Sequence, residues 1–363
     1  MIVYLNQPSF FAERFFTFSI KLKERMTEKK EIIASGESGR MLGDLVPAEV
    51  LLAAQDDMQK AIPALAKDLA ATEAIERAIK RVPTQHRLIL GDSRHMDDIE
   101  DESVHLVVTS PPYWTLKEYP VQEGQLGRIG DYEQFLENLD EVWKNAFRVL
   151  VKGGRLIVVV GDVCLPRRNF GRHVVYPLHA GIQEHCRKIG FDNLAPIIWH
   201  KISNANFESS RCTNFLGKPY EPNAIVKNYI EYILFQRKPG GYRQPTSAAR
   251  LMSIISENSH RIWFQQIWDL TGASTKQHPA PYPIALAERL IRMFSFVGDT
   301  VLDPFMGTGT TNLAAGRWGR NSIGYEIEPA YFELACRRAR ELKKTQLTLD
   351  TISPAEVKQS CQT

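Results

Sequence analysis

The stretch VVTSPPYW, residues 107–114, joins a strand-forming run to a rigid polar corner. The β-branched residues of its first half favour a buried strand. Pro111 and Pro112 cannot donate hydrogen bonds to a sheet and fix the backbone angle φ at about −65°, so the chain must leave the strand stiffly. Ser110 adds a hydroxyl to this corner, and Tyr113 and Trp114 add two aromatic rings. The corner therefore offers fixed hydrogen-bond acceptors and a surface for stacking; the alternative is a structural turn whose rings pack in the core.

A second block, VLDPFMGTGTT, has the features of a ligand-binding turn. It predicts a strand that ends at Asp303, a turn that contains Gly307 and Gly309, and then a helix. Glycines let the backbone pass close to a ligand, and a helix N-terminus offers free N–H groups. The next strand ends at Glu326, 17 residues after Gly309. A carboxylate at that position can accept both hydroxyls of a ribose.

Asp92 stands at the end of a further predicted strand, where its carboxylate can accept a hydrogen bond from an adenine amino group. The second block differs from the dinucleotide-binding fingerprint, because the position of the third glycine is Asn312. The chain also lacks a GK[ST] phosphate loop. The remaining alternative for the block is a glycine turn that only packs a helix against a strand.

From residue 84 onward, short apolar runs alternate with amphipathic stretches, which predicts strands alternating with helices. Seven strands are predicted, at residues 87–92, 104–110, 155–162, 194–200, 229–236, 300–305 and 322–327. Helices are predicted at 44–81, 132–150, 173–189, 282–296, 309–318 and 329–344. This alternation is typical of a mostly parallel sheet with helices on both faces, and such sheets bind ligands at the carboxyl ends of their strands. Both blocks stand at such ends.

Together the blocks resemble the amino-group DNA methyltransferases that use S-adenosylmethionine. The order is that of the β class, because TSPPYW (109–114) precedes DPFMGTGT (303–310). The segment QHPAPYP (277–283) also matches the family. The resemblance implies an α/β fold, the class I (Rossmann-like) methyltransferase fold in circularly permuted form, with a seven-stranded sheet whose last strand is antiparallel.

The same resemblance implies a division of the chain. The expected parts are an N-terminal extension (1–83), a catalytic domain (84–345) and a C-terminal tail (346–363). Within the domain, we expect a catalytic half (84–236), a recognition region (about 237–268) and a cofactor half (277–345).

The resemblance also assigns roles to residues. For S-adenosylmethionine it implies contacts from Asp92, Ser110, His278, Asp303, Pro304, Phe305, Gly307, Thr308, Gly309, Thr310 and Glu326. For catalysis it implies Ser110, Pro111, Pro112 and Tyr113. The amine of a base is conjugated with its ring, so acceptors must hold its hydrogens to one side before the nitrogen can attack a methyl group. The Ser110 hydroxyl and the Pro111 carbonyl can do this, and Tyr113 can stack on a base flipped out of the duplex.

The expected partner is double-stranded DNA, and the family places its reading region between the two blocks. The segment 237–266 is rich in side chains that contact base edges and phosphates. The predicted DNA-binding residues are Trp114, Arg243, Gln244, Arg250 and Arg261. Because the segment is short, help from residues 203–228 is expected; the alternative is a solvated helical hairpin with the reading elsewhere. A companion restriction endonuclease and a homodimer are left open.

The expected product is N4-methylcytosine. Cytosine-N4 enzymes of the family usually carry Ser in a TSPP block such as 109–112, whereas adenine-N6 enzymes usually carry Asp or Asn at the position of Ser110. Methylation of adenine N6 or of RNA is the alternative, and a catalytically silent DNA-binding or partner protein is the alternative from a different class. No cysteine of the chain follows a proline, which argues against a C5-cytosine enzyme.

Composition limits the remaining possibilities. The 363 residues are 44% hydrophobic and 24% charged, which is typical of a globular protein with a full core. The net charge of +3 means that binding to a polyanion must depend on local basic patches. Five cysteines without CxxC spacing argue against a zinc site and a disulfide framework, so we expect no metal and a reducing, cytoplasmic location in a bacterial or archaeal cell. Neither a signal peptide nor a membrane-spanning run is recognisable, so no membrane association is expected.

Overall fold

The computed structural model describes residues 37–116, 122–165, 170–201, 229–273, 281–342 and 347–352. The strands are β1 (Thr84–Leu90), β2 (Val104–Thr109), β3 (Leu150–Val160), β4 (Val163–Leu165), β5 (Val174–Tyr176), β6 (Asp192–His200), β7 (Ile230–Arg237), β8 (Ile267–Asp269), β9 (Thr300–Asp303), β10 (Asn321–Glu326) and β11 (Leu347–Ile352). The helices are α1 (Glu37–Leu45), α2 (Ala48–Ala53), α3 (Met58–Lys67), α4 (Leu69–Ile79), α5 (Tyr132–Val149), α6 (Leu178–Ile189), α7 (Ser247–Met252), α8 (Glu257–Trp263), α9 (Ile284–Phe294), α10 (Thr310–Arg317) and α11 (Pro329–Arg340), with a 3₁₀ turn at Leu126–Arg128. Among these helices none is long and apolar enough to span a membrane.

The main sheet has nine strands in the order β11-β1-β10-β9-β2-β3-β7-β6-β8. Strand β7 pairs antiparallel with both β3 and β6, and the other pairings are parallel. All seven predicted strands are present and the predicted fold class is confirmed. The sheet is wider than predicted, because β8 and β11 are added to it as the outermost strands. Strand β8 has three residues, too few to show a period, and β11 lies in the predicted tail.

The helix predicted at 173–189 begins later than expected, at Leu178. Its first residues instead form β5, which pairs with β4 in a separate two-stranded sheet. The residues Val174-Val175-Tyr176 are β-branched or aromatic, and such residues favour strands when a partner strand is available. Here β4 supplies that partner directly after β3.

The two faces of the main sheet are covered by different helices. Alternate residues of a strand point to opposite faces. On one face Val107 packs with Phe135 and Leu139 of α5. On the other face Val108 packs with Leu286 and other apolar residues of α9. The residues that follow the strand ends are therefore held between two packed layers.

A third apolar cluster joins the N-terminal helices to the segment after β7. Val50 and Ile75 of α2 and α4 pack with Leu251 and Met252 of α7 and with Val297. Val297 lies directly before β9, at the end where the parallel strands begin. Helices α1 to α4 therefore cover the end of the sheet at which the parallel strands begin, called here the amino-terminal edge. They leave open the end at which these strands finish, the carboxyl-terminal edge.

Candidate functional site

The predicted corner follows the carboxyl end of β2. Pro111 and Pro112 are buried, and Tyr113 is 6% exposed. The Ser110 hydroxyl, which is partly exposed, donates a long hydrogen bond of 3.5 Å to the Tyr113 hydroxyl. The corner thus presents one hydroxyl group to the open edge of the sheet.

Trp114 supports this corner from the inside. Its backbone has φ of 45°, a conformation that is uncommon for a bulky residue and that surrounding structure must hold. Its indole N–H donates to the carbonyl of Ile129 at 2.8 Å, and its ring lies 5.2 Å from that of Tyr132 and 4.9 Å from that of Tyr176. Trp114 is 5% exposed. The structure therefore places the predicted DNA-contacting indole in an aromatic cluster, where it fixes the corner.

Asp303 links the two motif-bearing strands. One of its carboxylate oxygens accepts from the Thr109 hydroxyl at 2.7 Å and from the Phe305 N–H at 3.1 Å. The other accepts from the Thr311 hydroxyl at 2.6 Å and from the Tyr282 hydroxyl at 3.3 Å. Burial raises the pKa of Asp303, and these hydrogen bonds act in the opposite direction. The carboxylate is fully occupied, so it holds the turns after β2 and β9 side by side from behind.

A cleft opens between these two turns at the carboxyl-terminal edge. Its lining combines both predicted motifs: Gly91, Asp92, Ser93, Ser110, Pro112, Gly124, Gln125, Leu126, Pro304, Phe305, Gly307, Tyr325, Glu326, Ile327 and Tyr331. Of the predicted cofactor residues, six lie here: Asp92, Ser110, Pro304, Phe305, Gly307 and Glu326. The structure therefore brings the Ser110 hydroxyl and the Glu326 carboxylate to one cleft.

Glu326 is the most distinctive group of this cleft. It is 8% exposed, and burial raises its pKa to about 7. Its carboxylate accepts the N–H groups of Gly307 at 2.7 Å and Glu328 at 2.9 Å. A carboxylate has about four lone-pair sites, so these two bonds leave capacity for further donors. Such a group suits a ligand that carries hydroxyls.

Asp92 also lines the cleft, but it has a strong partner. The Arg94 side chain donates to both of its carboxylate oxygens, at 2.5 to 3.1 Å. Hydrogen bonding to Asp92 raises the pKa of Arg94 further. Arg94 itself donates to the side-chain amide oxygen of Asn138 at 2.5 Å. A ligand amine at Asp92 therefore has to share the carboxylate with Arg94, a partner that the sequence motif did not indicate.

The remaining residues of the glycine turn lie behind the cleft. Arg338 donates to the Thr308 hydroxyl at 2.7 Å and to that of Thr310 at 3.4 Å. Gly309 has φ of 78°, and a Cβ atom there would approach the Cβ of Ala335 to 3.1 Å. These contacts pack α10 against α11 and shape the turn. The predicted cofactor residue His278 lies outside the described residues.

The predicted DNA-reading segment starts at the opposite edge of the sheet. Because β7 runs antiparallel, the chain leaves it at the amino-terminal edge. Arg243 there donates to both carboxylate oxygens of Asp299, at 2.7 Å to one of them. Gln244 is exposed nearby, and Arg250 lies on α7, which packs against the N-terminal helices. The structure thus separates these three predicted readers from the cleft.

The remaining predicted reader of this segment lies on α8, whose first residue Glu257 pairs with Lys67 of α3 at 3.8 Å, so it too lies on the side of the N-terminal helices. Arg261 is exposed on α8 and donates to the Asn258 side chain at 3.2 Å. Residues 203–228 lie outside the described residues. The residues beside that segment hydrogen-bond at the carboxyl-terminal edge, where the Lys201 N–H donates to the Tyr229 carbonyl at 2.9 Å.

Several cleft residues were not foreseen. Tyr325, Ile327 and Tyr331 accompany Glu326 there, and Gly124 to Leu126 also line the cleft. Tyr282 belongs to the segment QHPAPYP, but the sequence alone does not show that its hydroxyl donates to Asp303. In the part of the chain that the structure describes, no three His, Cys, Asp or Glu side chains are grouped to hold a metal ion.

Comparison with known proteins places the site in a family. Residues 104–337 match the family of N6/N4-type DNA methylases. The type II methyltransferase M.MjaI of Methanocaldococcus jannaschii is 40% identical over 278 residues, which are 68% of this chain and 88% of that protein.

Two solved structures are also similar. A protein of Thermus thermophilus, described as a DNA modification methylase and crystallised with S-adenosyl-L-methionine, is 52% identical, with a TM-score of 0.61 over 74% of this chain and 98% of that one. The PvuII DNA methyltransferase (cytosine-N4-specific) has a TM-score of 0.52 and 20% identity over 74% of this chain and 98% of that one, which shows a shared fold.

Proposed function

The chain belongs to the N6/N4 DNA methylase family and is a site-specific DNA amino-methyltransferase, and we propose that it methylates the N4 amine of cytosine in double-stranded DNA with S-adenosylmethionine as donor. The observation that carries this proposal is the position of Ser110. Its hydroxyl lines the same cleft as Glu326 and Gly307, at the end of β2. A hydroxyl at this position, where adenine-N6 enzymes usually have Asp or Asn, favours cytosine.

The cofactor residues fit the proposed donor. Glu326 is a buried carboxylate with unused acceptor capacity, which suits two ribose hydroxyls. Gly307 and Phe305 line the cleft beside it. Asp303 and Arg338 support the turn without facing the cleft. When bound there, S-adenosylmethionine supplies a methyl group on a positively charged sulfur.

The catalytic residues act by orienting the amine. The target base leaves the duplex, because a stacked and paired cytosine cannot enter a cleft. The Ser110 hydroxyl and the Pro111 carbonyl accept the two hydrogens of the amine and turn its lone pair towards the methyl group. The stiffness of Pro111 and Pro112 and the anchoring of Trp114 fix these acceptors before the base arrives. Most of the rate enhancement then comes from positioning.

The two ends of the sheet are assigned different roles. We assign catalysis to residues 84–345 and DNA approach to the carboxyl-terminal edge, where the cleft opens. Helices α1 to α4 of the extension stabilise the other edge. The proposal requires neither a companion endonuclease nor a homodimer.

Analysis of the product tests the choice of base. DNA from cells that express the gene is digested to nucleosides and analysed by mass spectrometry, and the sites are mapped by sequencing that detects methylation at single bases. We expect N4-methylcytosine within one short sequence, and a much smaller amount in cells that express Ser110→Ala. N6-methyladenine without N4-methylcytosine would overturn the choice of base and leave the family assignment intact.

A further inference from the structure

A charged pair that the mechanism above does not use lies beside the catalytic corner. The Lys201 ammonium donates to one carboxylate oxygen of Glu231. Both side chains are largely buried, and Glu231 as a residue is 8% exposed. Lys201 follows β6 and Glu231 lies near the start of β7, so the pair stands at the carboxyl-terminal edge.

The pair lies close to the Tyr113 ring, with Gly161 between them. A Cβ atom on Gly161 would lie 3.2 Å from the Cγ of Glu231 and 3.7 Å from its Oε1. The same point is 3.7 Å from Cε2 of the Tyr113 ring. The Tyr113 ring and the charged pair are therefore both close to Gly161, which follows β3 directly. A base stacked on Tyr113 can thus have the charged pair beside its edge.

Stability alone is a weak reason for such a pair. Removing two charges from water costs about as much as their attraction returns, and apolar replacements are often neutral or stabilising. Lys201 is further held over the ring of the fully buried Trp199, at 4.6 Å from its centroid. Among the described residues, the side chain that donates a hydrogen bond to the Glu231 carboxylate is that of Lys201. The ammonium is thus fixed in place, and it has three N–H donors of which Glu231 takes one.

We propose that Lys201 reads the O2 carbonyl of the flipped cytosine and that Glu231 is the positioning residue that holds the ammonium for this contact. This inference rests on the proposed function. N4, N3 and O2 follow one another along the pairing edge of cytosine. With N4 held by Ser110 and Pro111, the acceptors N3 and O2 face away from the corner towards a donor. Lys201 is a donor on that side.

The pair would also discriminate against adenine. At the place of the cytosine O2, the corresponding edge of adenine carries C2–H, which accepts no hydrogen bond. A buried ammonium that faces C2–H loses its partner, and a site built to bind a polar group strongly rejects an analogue that lacks it. The selectivity attributed to Ser110 would then be shared with Lys201.

The test uses a target base without O2. Duplexes carry the mapped target site with either cytosine or a 2-aminopyridine nucleotide in its place; the latter keeps the ring nitrogen and the amine but has no O2. The rate of methyl transfer to each duplex is measured for the wild-type enzyme, Lys201→Met and Glu231→Gln. Lys152→Met, at the exposed amino-terminal end of β3, is the matched control. Melting temperature and cofactor affinity are measured for each variant.

The quantity of interest is the ratio of the cytosine rate to the analogue rate. We expect this ratio to fall by roughly 10- to 100-fold in Lys201→Met, the value of one hydrogen bond to a charged group. Glu231→Gln should lower the ratio in the same direction by less, and Lys152→Met should keep the wild-type ratio. An unchanged ratio in Lys201→Met overturns the inference. If that variant does not fold, an unchanged ratio in Glu231→Gln overturns it instead.

The outcome separates this inference from the proposed function. A wild-type enzyme that produces N4-methylcytosine, together with unchanged ratios, removes the role of Lys201 alone. A wild-type enzyme that produces N6-methyladenine overturns both, because adenine has no O2.

Discussion

The two edges of the central sheet both contain buried charged groups, but they use them differently. At the amino-terminal edge Arg320 is 1% exposed and donates to the Ser295 hydroxyl and carbonyl and to the Trp318 carbonyl, at 2.5 to 3.1 Å. Burial lowers the pKa of Arg320 to about 9. At the carboxyl-terminal edge, Glu326 accepts two backbone N–H groups and has further capacity on the side of the cleft.

Buried charge by itself therefore does not mark the site. Arg243 and Asp299 form an ion pair at the amino-terminal edge, and four donors engage Asp303 behind the cleft. What distinguishes the cleft is polar capacity that the protein does not consume. The helices of the extension cover one edge with apolar side chains and leave this capacity exposed at the other.

The strongest test of this comparison replaces one serine at each edge. Ser110→Ala should lower turnover by roughly two to three orders of magnitude, the effect of losing one preorganised polar group at the reacting centre. Cofactor affinity and stability should change little. Ser253, at the amino-terminal edge, donates to the Ala249 carbonyl at 2.6 Å and accepts from the Val297 N–H at 2.8 Å.

Ser253→Ala should therefore show the reverse pattern. We expect a loss of roughly 1–3 kcal/mol in the free energy of unfolding, because the Val297 N–H loses its acceptor, and normal turnover. Steady-state kinetics and urea unfolding of both variants supply the comparison. Equal effects of the two substitutions on turnover would show that the edges do not differ as described.

Arg243 offers a second test, because the sequence predicts a DNA contact and the structure shows an ion pair. Arg243→Met should lower the free energy of unfolding by roughly 3 kcal/mol, since buried Asp299 loses its arginine partner and keeps the Phe296 N–H as a donor. DNA affinity and its salt dependence should stay unchanged. Arg261→Met, on the exposed face of α8, is the control and should change stability by about 0.5 kcal/mol or less.

The measurements are urea unfolding and DNA binding at several salt concentrations. Arg243→Met could instead keep the wild-type stability and reduce the slope of log DNA affinity against log salt concentration by about one, the effect of losing one phosphate contact. DNA would then approach the amino-terminal edge.

The last test concerns Glu326 and the pH dependence of stability. The pKa of this carboxyl is about 7 in the folded protein, against an ordinary value of 4.5, so the folded state keeps the proton at a higher pH than the unfolded state. Its contribution to stability is complete below about pH 4.5 and is lost as the pH rises to about 7, by on the order of a few kcal/mol at most.

Glu326→Gln, which cannot ionise, should lack this contribution. We expect its free energy of unfolding to decline less than that of the wild type across the same pH range, as measured by urea unfolding at constant ionic strength. A parallel decline in both proteins would mean that Glu326 has an ordinary pKa, and that the cleft does not bury it as the structure indicates.

The sequence by itself determined the elements and the location of the chemistry. Hydrophobic periodicity predicted the seven inner strands of the main sheet, which are β1, β2, β3, β6, β7, β9 and β10. The turn residues Pro111, Pro112, Gly307 and Gly309 predicted where those strands end. Since parallel strands present their carboxyl ends at one edge, the meeting of Ser110 and Glu326 in one cleft could be expected. These features depend on local backbone sterics and on side-chain period, which are written in short stretches of sequence.

The tertiary structure alone decided which groups are already engaged. Arg243 is 56 residues from Asp299, and Lys201 is 30 residues from Glu231. Their pairing depends on the direction of β7, which carries the following segment to the amino-terminal edge and places Glu231 beside the corner. Strand order and direction result from the packing of all layers together, and no short stretch contains that information. For this reason the motifs could be found from the sequence. The hydrogen-bond donors that occupy Asp303, and the acceptor capacity that remains on Glu326, could not.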